Sequence, residues 1–204
     1  MKYKLFLLPI LAFATVFICA SRGANIVIDT GPGYTGFPGG LTLGSAPDGT
    51  GGQSLAGRFE IPSFTHVTGA AGWIATFDTQ FGAQFTSSYE ATLTIGIASD
   101  AGSLPGSLLF QCSTTVHGSQ AAGWTGLTGL DWGLLPGTYW ITFSSTDALG
   151  YMPLLDPGNG GLFPLSKYAA RNGEELFPRF GSWYDYNATL PPNSQQFLGV
   201  HIIG

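Results

Sequence analysis

Three aromatic rings stand close together at Trp183, Tyr184 and Tyr186, interleaved with Asp185 and Asn187. Flat rings beside hydrogen-bonding side chains can stack on the face of a sugar while the polar groups take its hydroxyls. Large rings in a long segment can instead pin that segment against a sheet, and this is their commoner use. Trp183, Tyr184 and Tyr186 are therefore the candidate sugar-stacking residues, with pinning as the rival role.

The other reactive side chains are dispersed. Ser54 lies in GQSLAG, between Gly52 and Ala56. A nucleophile elbow needs a strand, a sharp turn and a following helix, whereas this serine opens a strand. Glycoside hydrolysis needs two carboxylates about 5 to 10 Å apart. Glu60 and Glu90 each stand alone in their segments, and the adjacent Glu174 and Glu175 would point oppositely in an extended chain. His66, His117 and His201 fall in three separate segments without metal-ligand spacing. Asp48, Asp100, Asp131 and Asp156 sit in turn-rich loops. Loop carbonyls with one carboxylate can bind calcium, yet no multi-acid motif is present and ordinary turn chemistry accounts for them. No catalytic residue, metal ligand or cofactor is assigned.

Composition narrows the classes further. Charged residues make up only 9% of the chain and the formal net charge is −5, which leaves no basic patch for nucleic acid. An aromatic content of 14% argues for a packed core rather than disorder. Lys2 and Lys4 precede an apolar run from Leu5 to Ile18, and the small residues of CASRGA follow. This is the layout of a secretory signal peptide, and the run is shorter than the ~20 residues that span a bilayer. The expected division is a leader over 1–21 and one domain over 22–204, with no membrane insertion after cleavage. Asn187-Ala188-Thr189 is a glycosylation sequon only in a eukaryotic secretory protein. Cys112 is then the sole cysteine, and its parity with Leu108, Phe110 and Val116 predicts a buried thiol.

The elements that would position these residues read as strands. Ala91, Leu93, Ile95 and Ile97 alternate with Thr92, Thr94 and Gly96, the period of a strand with one buried face. Similar alternation runs over 25–29, 53–61, 64–78, 108–117, 137–145 and 197–204. Gly69 and Gly72 predict a bend or bulge in the third of these. Residues 30–52 read as a long loop, and 146–196 as a long irregular connection in which SKYAARNG forms one short helix closed by Asn172-Gly173. The fold class is all-β, a two-sheet antiparallel β-sandwich of jelly-roll type, with that connection before the last strand.

Ser99, Asp100, Gly102, Pro105 and Gly106 place a Ser-Asp turn ahead of a Gly-x-x-Pro-Gly step. Leu135, Gly137, Thr138, Tyr139 and Trp140 begin a later strand, and GVHIIG closes the chain. In these pieces the sequence resembles the β-sandwich ectodomains of bacterial PEP-CTERM and other choice-of-anchor surface proteins. The resemblance implies fold and location rather than an activity. The family's Pro-Glu-Pro motif, membrane helix and basic end do not follow Gly204. The resemblance then implies a released protein, or one held non-covalently in a matrix.

The expected function is a secreted, non-catalytic component of the cell surface or extracellular matrix, with extracellular polysaccharide as its candidate partner. A carbohydrate-binding module built on SWYDYN is the alternative. A hydrolase assembled from distant loops has the least support. Sandwiches host all three, so fold does not choose between them.

Overall fold

In a computed structural model the protein is described over residues 25–33, 40–45, 52–76, 90–117, 122–153, 167–172, 182–185 and 198–204. The candidate leader, Asp48, Asp156, Glu174, Glu175 and Tyr186 lie outside these. The described residues contain twelve strands and no helix. No helix among them is long and apolar enough to cross a membrane.

In chain order the strands are β1 (Ile26–Asp29), β2 (Gly40–Ser45), β3 (Gly52–Ile61) and β4 (Thr65–Thr76). Then come β5 (Glu90–Asp100), β6 (Pro105–His117), β7 (Gly123–Leu134) and β8 (Gly137–Ser144). The last four are β9 (Ala148–Pro153), β10 (Lys167–Asn172), β11 (Trp183–Asp185) and β12 (Val200–Ile203). Hydrogen bonds join them into one antiparallel ladder in the order β1-β12-β4-β9-β2-β3-β8-β5-β6. β7 also pairs with β4, and β10 pairs with both β3 and β11.

Alternation chose the faces. Leu93, Ile95 and Ile97 on β5 are fully buried, as are Ile141 and Phe143 on β8 and Leu55 on β3. Burying each such side chain contributes about 1.5–3 kcal/mol. They share one cluster with Val67 of β4, Leu134 of β7 and Ile202 of β12. Phe110 of β6 stacks on Trp132 of β7 with ring centroids 5.8 Å apart. Those two strands share no hydrogen bonds, and the stack joins parts of the ladder that are far apart in its order.

Several expectations require correction. The stretch read as an irregular connection, 146–196, contains β9, β10 and β11, and the loop read over 30–52 contains β2. Lys167–Asn172 is a strand and not a helix. Its two faces are both buried, with Tyr168 and Ala170 in the main core and Ala169 in a second, smaller cluster. A strand between two partners can bury both faces, and here β3 and β11 supply the pairing that overrides local helix preference.

Cys112 is exposed rather than buried. It is paired opposite Ile95, so its parity was read correctly. β6, however, is an end strand of the ladder, and little packs over Cys112 there. Leu108 also leaves the inward set. A register shift lets Phe110 oppose Ile97 while Leu108 opposes Ala98, so Leu108 turns to the outer face and is 50% exposed. The bulge expected in β4 is present as a register shift between Val67 and Gly69.

Candidate ligand-binding face

The outer face of the strands β11, β10, β3, β8, β5 and β6 carries the most organised set of polar side chains. Across it Ala169, Ala56, Thr142, Gly96 and Gln111 stand side by side, one from each of five neighbouring strands. Ala169 and Ala56 are fully buried, and the open part of the row is Thr142, Gly96 and Gln111. A side chain at Gly96 would lie 2.8 Å from both Leu108 Cδ1 and the Phe110 carbonyl oxygen, so only glycine leaves the space open.

Along one flank Arg171 stands between Ser54 and Trp183, and Thr94 stands between Ser144 and Ser113. The result is a groove of about 170 Å³. Its hydrogen-bonding groups come from Ser54, Thr94, Thr142, Ser144 and Gln111, with Arg171 and Trp183 forming one end and Leu108 the other lining of note. It is smaller than the ~300–1,000 Å³ of drug-sized sites, which suits one ring-sized group lying on the sheet.

The Arg171 guanidinium lies 5.1 Å from the centre of the Trp183 ring. That distance is within the ~6 Å range of cation–π attraction. Arg171 Nη2 also donates to Ser54 Oγ at 3.5 Å, a long contact. Thr94 Oγ1 and Ser113 Oγ are 2.8 Å apart.

A second polar group braces the same face beyond the groove. Arg58 donates to Asp100 through Nε at 3.1 Å and Nη2 at 3.4 Å, and the Trp140 indole N–H donates to Asp100 at 2.7 Å. Trp140 is fully buried here with Ala56, Ala98 and Ala169, and Trp183 and Leu104 pack against that cluster. The Arg58 hydrogen bond holds the Asp100 carboxyl below the ordinary carboxylate range, against the opposing effect of burial. The Trp140 hydrogen bond and the positive charge of Arg58 add to the lowering. Asp100 is thereby committed to the scaffold.

Trp183 and Tyr184 are both half-buried, and they face opposite sides of the sheet. Trp183 packs on the outer cluster and Tyr184 against the main core. Neighbouring strand residues cannot form one flat platform, so of this pair only Trp183 can offer its ring to the groove. Asp185 is bound to Lys167 at 3.6 Å. Sequence reasoning named Trp183 and missed Arg171, Thr94, Gly96 and Thr142. Only the pairing of strands distant in sequence brings these together.

The remaining candidates do not converge. Ser54 lies on β3, and its hydroxyl meets Arg171. His66 on β4 contacts Asp131, His117 on β6 contacts Glu90 at 3.1 Å, and His201 on β12 contacts Asp29 at 2.9 Å. His201 also stacks on Trp124, with ring centres 3.5 Å apart. Among the described residues no group of three His, Cys, Asp or Glu side chains is placed to hold a metal ion. Glu60 and Glu90 are both exposed and lie on different strands. No protein-family model matches the chain, and neither a curated protein nor a solved structure does.

Proposed function

We propose that this chain is a secreted, non-catalytic β-sandwich protein of the cell surface or extracellular matrix, and that its outer sheet face binds polysaccharide. The observation that carries the reading is the groove itself. Neutral hydroxyl and amide groups surround the small residues Gly96, Ala98 and Gly106, and a part-exposed indole lies beside an arginine among them. Hydroxyls and amides match the rim of donors and acceptors of a pyranose, and the exposed part of an indole gives its C–H groups apolar contact. The groups stand on paired strands, which position them more rigidly than loops would.

Two further observations favour the sandwich. The main core draws on both ends of the ladder, and the Phe110–Trp132 stack links strands that share no hydrogen bonds. Two packed layers formed by one curled ladder account for both. The basic start and short apolar run of the leader favour export. Matrix location rests on the resemblance to choice-of-anchor ectodomains and on low charge.

Affinity electrophoresis in gels containing soluble polysaccharides tests the reading. Trp183→Ala is expected to weaken retardation by about tenfold or more, the effect of losing an aromatic anchor. Its stability loss should stay below the ~3 kcal/mol at which losses from fully buried rings begin, because Trp183 is half-buried. A folded Trp183→Ala protein that binds like wild type contradicts the assignment of the groove.

A further inference from the structure

The charges on the outer face are unevenly partnered. Arg58 is held by Asp100, and Lys167 by Asp185. No described carboxylate lies within ion-pair distance of Arg171. Its guanidinium is stacked against Trp183 and makes one long contact to a neutral hydroxyl. Among the described residues it is also the only charged side chain lining the groove.

We propose that the groove selects a saccharide bearing a carboxylate, a hexuronate unit of an acidic polysaccharide, with Arg171 as its anchor. This rests on the polysaccharide-binding reading above. A guanidinium is planar, and its N–H groups are directed along that plane. A planar donor fork matches the two oxygens of a carboxylate, which a single ammonium does not. Sugar carboxylates lie at the rim of the ring. An acid group on Arg171 therefore leaves the sugar hydroxyls for Ser54, Thr94 and Thr142, with the part-exposed Trp183 indole beside the ring.

The net charge of −5 sharpens the argument. The whole molecule does not draw anions toward itself, so preference for an acidic sugar has to come from short-range contact with Arg171. Such contact is less sensitive to salt than steering by a diffuse positive field.

Calorimetric titration of the full secreted chain separates the possibilities. The probes are oligogalacturonate, the same oligomer with its carboxyls reduced to alcohols, and a sulfated glucan oligomer. Wild type is expected to bind oligogalacturonate about tenfold or more tightly than its reduced form, the size of one charge-assisted fork. Arg171→Gln should erase that difference, and Arg171→Lys should restore only part of it. The sulfated oligomer should bind more weakly than oligogalacturonate.

Equal wild-type affinity for the acidic and reduced oligomers overturns the inference and leaves polysaccharide binding standing. Equal or tighter binding of the sulfated oligomer also overturns it, since charge alone would then suffice. Failure of all three to bind overturns the inference. Failure to bind neutral polysaccharides as well refutes the underlying reading. The reduced oligomer removes the carboxylate without touching the protein, so the result stands even if a variant folds poorly.

Discussion

Asp100 ties two side chains of the outer face into one unit, taking Arg58 and the Trp140 indole at once. Its carboxyl is held below the ordinary range chiefly by Arg58. A carboxyl lowered on folding stabilises the native state fully above its unfolded pKa of about 3.9. That contribution is lost as pH falls through the lower folded value. Urea midpoints of wild type should therefore drop from about pH 5 downward more steeply than those of Asp100→Asn. Parallel curves for the two proteins would show that Asp100 is not linked to folding. At this scale the sequence was partly readable. Trp183 stands out as a candidate ring, whereas Ser99 and Asp100, expected in a turn, end β5 ahead of the bend at 101–104, and Asp131 lies in β7. Neither the Arg58 partner, 42 positions away, nor the Ser54 neighbour of Arg171, 117 positions away, had any local signal.

The strands divide by how cleanly they alternate. β5 was legible because Ala91, Leu93, Ile95 and Ile97 are apolar on one parity, and all four are buried. β7 was not read as a strand, since Gly123, Gly126, Gly129 and Gly133 break its alternation. β10 was read as a helix because six residues carry too little periodicity to separate the two states, and its pairing with β3 decided the matter. The inward reading of Cys112 failed through position in the ladder rather than parity. An end strand can point a residue toward the core side and still leave it wet. Leu93→Asp or Ile95→Asp should prevent folding, because each places a charge with no partner in a fully buried site, an effect above about 4 kcal/mol. Thr94→Asp, on the groove side of the same strand, should fold with a far smaller loss. Thermal melts of the three purified variants check this. Equal collapse of all three would mean that the outer face is packed as tightly as the core.

At the scale of the molecule, the all-β class followed from composition and alternation. The ladder order did not, because it depends on contacts between strands far apart in the chain. β3 pairs with β10 and β8, and β4 with β12, β7 and β9, and no local pattern specifies those partners. The candidate face is a product of that order. Residues between Ser54 and Trp183 converge only when β11, β10, β3, β8, β5 and β6 lie side by side. This face is proposed to be where the protein meets its ligand. Backbone and indole NMR shifts, followed while an acidic polysaccharide oligomer is titrated into the labelled chain, test it most directly. Saturable shifts are expected, concentrated at Thr94, Gly96, Thr142, Arg171 and the Trp183 indole N–H. Saturable shifts confined to the opposite end of the ladder, around Asp29, Trp124 and His201, would contradict it.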